Sequence, residues 1–153
     1  MFMPSEIRQV DVSGKPLVRR TAIARGFIKL RRETVERIKS GSVEKGDPLQ
    51  LARVAGINSA KLTSLLLPLC HPLRLDYVEV NPKINDEGIE VEVLVEATER
   101  TGVEMEALTA VSIALLNVWD AVKMYEKTVD GQYPDTVITN IRVIRKVKDD
   151  AAS

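Results

Sequence analysis

The sequence is poor in the residues that build disulfides, metal centres and base-stacking surfaces. Its 153 residues include one cysteine, Cys70, and one histidine, His71. A lone cysteine forms no internal disulfide, and without a cysteine cluster there is no zinc-binding spacing, so a reducing cytoplasm is the simplest setting. Six aromatic side chains (two Phe, three Tyr, one Trp) leave little for stacking on nucleic-acid bases. Neither sign of charge is in excess. With 22 basic and 22 acidic residues, no net positive field recruits nucleic acid, and any site for a polyanion must be local. The opening MFMPSEIRQVDVSGKP lacks the apolar stretch of a secretory signal, and no unbroken apolar run reaches the roughly 18 residues of a membrane span. Neither a GxxxxGKS/T loop nor a GxGxxG fingerprint occurs, which removes the two familiar nucleotide-binding devices.

What remains is ordinary for one globular domain. Hydrophobic residues are 44% and charged residues 29% of the chain, and a domain of this length buries roughly 70% of its unfolded surface. Residues 1–16 mix charge with Pro4, Gly14 and Pro16 and read as an N-terminal arm. Residues 17–148 read as the domain and 149–153 as a short tail. The β-branched, basic stretch from Leu17 to Leu30 reads as a strand. Val35 and Ile38 share a helix face in 32–40, and Gly41 to Gly46 interrupt it. Asp47-Pro48 reads as an N-cap with proline at the first helical position, opening a helix to about Leu66. Pro68 and Pro72 then enforce a loop. Strands follow at 76–84 and from Ile89, where Ile89, Val91, Val93 and Val95 alternate with Glu90, Glu92 and Glu96. A long helix spans about 103–127, and a last strand 137–147. Strand, helices, strand, strand, helix, strand is the split βαβ pattern: an α+β fold with a four-stranded antiparallel sheet and helices on one face.

The long helix is apolar in nearly every direction, through Leu108, Val111, Ile113, Leu115, Leu116, Val118, Trp119 and Val122. Such a helix is buried on more than one side. One sheet face cannot cover it all, which points to self-association.

The same helix holds candidate chemistry. Asp120 and Lys123 are three residues apart and share a face. The plain alternative is a surface ion pair contributing about 0–1 kcal/mol; flanked by Val118, Trp119, Ala121 and Val122, a partly desolvated pair suited to proton transfer is expected. Glu104 and Glu106 open the helix, where acidic residues complement the macrodipole. Glu106 and Asp120 are fourteen residues and so about 21 Å apart along the axis. One small reacting centre cannot touch both: the substrate is long, or the helix start is distorted, or two chains build the site. Cys70 and His71 lie between restricting prolines, and a rigid loop often presents functional groups. His71 fits a hydrogen-bonding or acid–base role. A Cys–His nucleophile is disfavoured, because adjacent side chains diverge. Lys45, Lys61, Lys146, Arg19, Arg20 and Arg25 are each ordinary surface charges alone, yet together suit a phosphate pocket.

Three stretches go further. Ala55-Gly56-Ile57-Asn58-Ser59-Ala60-Lys61-Leu62-Thr63-Ser64 with LLLPLCHPL at 65–73, TGVEMEALTAVS at 101–112, and Trp119-Asp120-Ala121-Val122-Lys123 resemble the cyclic pyranopterin monophosphate synthase family, known as MoaC. Val10-Asp11-Val12-Ser13 with Lys15, and Lys45-Gly46-Asp47, match as well, so the resemblance covers about residues 10–147. It implies a ferredoxin-like subunit in a homohexamer, a trimer of dimers with sites at subunit interfaces. It implies a lyase that rearranges 3′,8-cyclo-7,8-dihydroguanosine 5′-triphosphate to cyclic pyranopterin monophosphate and diphosphate in molybdenum-cofactor synthesis, downstream of a radical enzyme acting on GTP. By resemblance Asp120 is the catalytic aspartate, with Lys123 beside it. Leu69, Cys70 and His71, with Met105 and Glu106, form substrate-binding segments. Lys45, Lys61, Arg20, Glu104 and Lys146 belong to the pocket. No cofactor or protein-bound metal is implied, although Mg²⁺ can accompany a triphosphate. The alternative is a non-catalytic purine-nucleotide-binding regulatory module on the same fold. RNA binding, which also uses split βαβ sheets, is opposed by the scarcity of aromatics and the zero net charge.

Overall fold

The computed structural model describes residues 5–149; residues 1–4 and 150–153, parts of the expected arm and tail, lie outside the described residues. Its elements are β1 (Val18–Lys29), α1 (Arg32–Lys39), α2 (Pro48–Lys61), α3 (Thr63–Leu66), β2 (Tyr77–Asn85), β3 (Gly88–Glu99), α4 (Glu104–Glu126) and β4 (Val137–Asp149). The strands form one antiparallel sheet in the order β2-β3-β1-β4. This is the split βαβ arrangement expected from the element order.

Local chemistry explains most boundaries. The Asp47 carboxylate accepts from the Leu49 amide at 2.9 Å, with Pro48 at the first helical position, so one orphan donor of the helix start is satisfied. The single helix expected over 48–66 is instead two. It breaks at Leu62 (φ −99°, ψ 5°), where the Thr63 hydroxyl donates to the Ser59 and Ala60 carbonyls. A threonine side chain thus takes over carbonyls that the next turn would have used. β3 runs four residues beyond Val95, to Glu99, and Asp149, placed in the tail by composition, ends β4 opposite Arg19.

Alternation decides which sheet face is dry. Ile89, Val91, Val93, Val95 and Ala97 of β3, with Ala22, Ala24 and Ile28 of β1, are buried beneath the helices. α4 lies on β1 and β3, while α2 lies on β2 and against α4. The core is this single layer, and burying one of its aliphatic side chains stabilises by about 1.5–3 kcal/mol. On the opposite face Arg25 meets Glu90 at 2.8 Å and Glu92 at 2.7 Å, and Arg19 meets Glu96 at 3.5 Å. No helix among the described residues covers that face. By length and composition α4 is apolar enough to cross a membrane, but Ala107, Val111, Ala114, Leu115, Val118 and Val122 are all buried in the core. Leu116 is left 53% exposed, so part of the apolar girth foreseen for this helix is uncovered within one chain.

A buried carboxylate fastens the far end of α4. Glu126 accepts from the Arg31 amide at 3.1 and 3.2 Å, from the Thr136 hydroxyl at 2.6 Å, and from the Thr34 hydroxyl. These donors make burial of the charge tolerable and tie the start of α1 and the connection before β4 to α4.

The seat of α4 on the sheet needs a residue without a side chain. A Cβ at Gly26 would come within 2.8 Å of Val111, 2.9 Å of Ile141 and 2.9 Å of Leu115. Gly26→Ala therefore sets an overpacking cost of about 1–3 kcal/mol against a gain of about 1 kcal/mol from replacing glycine within a regular element. The clash wins. Urea unfolding should show a loss of stability, and the increment caused by Gly26→Ala should be smaller in a Val111→Ala background; a variant as stable as the parent contradicts the close seating.

Candidate active site

α4 carries a cluster at each end. At its N-terminal end lies a cavity of about 670 Å³ lined by Arg8, Val10, Val12, Lys15, Leu66–His71, Thr101, Gly102, Glu104 and Met105, a size that accommodates a nucleotide-sized molecule. Cys70 and His71, between Pro68 and Pro72, reach different partners. His71 Nε2–H donates to the Val10 carbonyl at 2.6 Å, since a carbonyl oxygen can only accept. Cys70 Sγ instead donates to Glu106 Oε2 at 3.7 Å. Burial, reinforced by the nearby Glu106 carboxylate, pushes the Cys70 thiol up to about 11. It is a neutral donor at physiological pH, not a nucleophile.

Glu106 is 2% exposed, and burial pushes its carboxyl above the usual range. Its Oε1 has no hydrogen-bond partner among the described residues. A buried unpaired oxygen costs free energy unless a ligand or water supplies a donor. Glu104, next to the cavity, pairs with Lys146 at 3.2 Å, and a Cβ at Gly102 would collide with the Glu104 carboxylate. Arg20 donates to the carbonyls of Glu99 (3.1 Å) and Arg100 (3.3 Å), fixing the chain that leads from β3 into the cavity wall.

At the C-terminal end Asp120 meets two cations. Lys123 Nζ lies 3.1 Å from Asp120 Oδ1. Lys45, from the loop between α1 and α2, lies 3.9 Å from the same oxygen and donates to the Asp120 carbonyl at 3.0 Å. The Lys123 hydrogen bond and the charges of Lys45 and Lys123 hold the Asp120 carboxyl below its ordinary range, so it is ionised at neutral pH. Trp119 and Tyr133 meet edge to face at 5.2 Å and, with Leu116, Asp120 and Lys123, line a hollow of about 350 Å³.

The expected partial desolvation reaches Lys123, which is half-buried, but not Asp120, which is exposed. Asp120 is 62% and Lys123 43% exposed at the side chain. Val118, Ala121 and Val122 are buried on another face of α4, because sequence neighbours on a helix do not point the same way. Of the residues selected from sequence, Leu69, Cys70, His71, Glu104, Met105, Glu106, Arg20 and Lys146 gather at one end. Lys45, Asp120 and Lys123 gather at the other. Lys61 ends α2 as an exposed side chain joined to neither cluster by an ion pair. Sequence reasoning missed Arg8, Val10, Val12 and Lys15 as cavity lining, and Tyr133 beside Trp119. The Val10–Ser13 match held a signal for the former; Tyr133, in an irregular connection, held none. Among the described residues no three His, Cys, Asp or Glu side chains converge as metal ligands do.

The Glu106 environment has a pH signature. Its raised folded-state pKa means that the folded state binds the proton more tightly, so this stabilisation is complete below the unfolded pKa and is lost as pH rises through the folded one. Melting curves of Glu106→Gln and the parent should coincide most closely in acid, with the parent falling behind as pH rises toward neutrality. A constant difference across pH would contradict the buried, unpaired carboxylate.

Comparison with known proteins supplies the family. The MoaC family model matches residues 9–149. The chain is 54% identical over 144 residues to a protein of Sulfurisphaera tokodaii named probable cyclic pyranopterin monophosphate synthase, covering 94% of this chain and 95% of the relative. It is 55% identical over 139 residues to a protein of the same name from Sulfolobus acidocaldarius, covering 91% and 97%. A relative from Methanothermobacter thermautotrophicus, 51% identical with 93% and 89% covered, is named probable cyclic pyranopterin monophosphate synthase accessory protein. With similarity running the length of the described fold and through both clusters on α4, the chain belongs to the MoaC family.

Proposed function

We propose that this chain is a cyclic pyranopterin monophosphate synthase, a lyase of molybdenum-cofactor biosynthesis. Its substrate is 3′,8-cyclo-7,8-dihydroguanosine 5′-triphosphate, and it releases diphosphate. The observation that carries the reading is the division of labour along α4. A nucleotide-sized cavity with a buried unpaired carboxylate lies at one end, and an ionised Asp120 between two ammonium groups lies at the other.

The chemistry asks for both. Opening the dihydroguanine ring and reclosing it as a pterin requires several proton transfers, each assisted by a positioned acid or base. Asp120 serves as acceptor, with Lys45 and Lys123 close enough to return protons. The purine-derived ring is read by polar groups of the cavity: the Cys70 thiol, His71 and Glu106, with Leu69 and Met105 giving apolar contact. Closing the cyclic phosphate while expelling diphosphate needs cations on the polyphosphate, the role of Arg20, Lys61 and Lys146, with Glu104 orienting Lys146. Mg²⁺ enters, where it enters, on the phosphates. The exposed pair and the uncovered Leu116 favour self-association, and in the homohexamer that the family resemblance implies, a trimer of dimers, one protomer supplies the cavity and its partner the Asp120 end. A cytoplasmic setting fits the single reduced cysteine.

Incubation with the cyclised triphosphate should release diphosphate and yield a pterin that fluoresces after oxidation. Asp120→Asn and Lys123→Ala should each retain the assembly and lose at least about 100-fold in turnover, the scale of a lost acid–base group. Near-normal rates in either variant would make the pair structural. Tight binding of the triphosphate with no product would favour the second reading, a purine-nucleotide-binding regulatory module.

A further inference from the structure

The triad around Asp120 draws two members from one rigid helix and the third, Lys45, from a loop. That loop has few reasons of its own to hold one shape. Gly41 (φ +72°) and Gly46 (φ +110°) bound it, in conformations that glycine adopts freely and other residues avoid. The Ser42 amide bonds the Arg37 carbonyl at 3.0 Å and ties the loop's start to α1, and the Gly46 amide closes a turn on the Val43 carbonyl at 3.1 Å, but neither bond reaches α4. Besides Lys45 itself, which donates to the Asp120 carbonyl at 3.0 Å, two contacts seat the rest of the loop. Val43 is buried in the core, and the Glu44 amide, next to Lys45, donates to the Tyr125 hydroxyl at 2.9 Å.

Tyr125 is well placed to act as a stop. It lies five residues after Asp120 on α4, so Tyr125, Asp120 and Lys123 are carried by one unbroken helix. The Arg37 guanidinium sits 4.4 Å above its ring and also donates to the Ser42 carbonyl at 3.1 Å. One arginine thus braces both the ring and the loop that the ring holds.

We infer that Tyr125 is a positioning residue for the reaction: its hydroxyl registers the 41–46 loop against α4 so that the Lys45 ammonium rests on Asp120. The inference deepens the functional reading above and rests on it, since it takes Lys45 and Asp120 as partners in proton transfer. Tyr125 touches no reacting atom. Without its hydroxyl, the loop and the long lysine side chain must be ordered anew in each turnover, an entropic cost that falls on the reacting geometry.

Tyr125→Phe tests this while keeping the ring and its contact with Arg37. The first measurement needs no substrate: brief labelling with acetic anhydride, read by mass spectrometry as modification of Lys45 relative to exposed Lys83. Release of Lys45 from Asp120 should raise that ratio about fivefold, the scale of one lost hydrogen bond. The second is steady-state kinetics, where kcat should fall about five- to tenfold with KM within about twofold, the pattern of an interaction realised in the transition state. Both changes together support the inference. An unchanged labelling ratio overturns it, whatever the kinetics, because Tyr125 would then not hold Lys45. A raised ratio with unchanged kcat also overturns it, because the anchor would then not serve the reaction. A parent protein that turns nothing over defeats the functional reading by itself, and it is seen before any variant is compared.

Discussion

A straight helix cannot bring its own ends together. At about 1.5 Å per residue, the fourteen residues between Glu106 and Asp120 hold the two carboxylates about 21 Å apart, and α4 runs unbroken through both. Its rigidity has visible causes: Gly26 lets it settle onto the sheet, α2 packs alongside, and the buried Glu126 carboxylate fastens its last turn to α1 and to the connection before β4. A distorted helix start, the second of the three explanations for the spacing, is thereby removed. A long substrate and a site shared between chains remain, and they are compatible with each other.

The two ends are also electrostatic opposites. Around Cys70 and Glu106 burial favours neutral forms: a thiol raised to about 11 and a carboxyl raised above its usual range. Around Asp120 two ammonium groups favour the ionised carboxylate and leave a net positive charge exposed to solvent. A cavity with apolar walls and a few polar groups suits a heterocycle, and an exposed charged cluster suits proton traffic. Solvent screens exposed pairs strongly, so the triad gains chemical strength only once something covers it. The uncovered Leu116 beside Trp119 and Asp120 lines the same hollow and marks where such a cover would lie.

The fold was legible because its signals are short-range. Alternating valines and glutamates in β3, Asp47-Pro48 before α2 and the apolar girth of α4 each state a local periodicity that tertiary packing then honours. The break at Leu62 was not legible, since a threonine bonding back to Ser59 and Ala60 looks like any helical threonine in a string of letters. Partners distant in sequence were harder still. Nothing in the sequence joins Glu106 to Cys70, Lys45 to Asp120, or Glu44 to Tyr125; each pair meets only after the sheet has set the helices. Asp120 stays exposed because its apolar sequence neighbours Val118, Ala121 and Val122 are buried on another face of the helix. Family resemblance selected residues that the structure places at both ends of α4, but it did not say that they form two separate clusters in one protomer.

The most direct test of a site completed across two chains is complementation. Glu106→Ala protomers lack the cavity carboxylate and Asp120→Asn protomers lack the base, and assemblies of either alone should be nearly inactive. Dissociated, mixed in equal amounts and reassembled, they should regain up to about a quarter of parental turnover, because in a closed symmetric assembly a random pairing sometimes joins two intact halves. Mixed assemblies that stay as inactive as their parents would contradict the account.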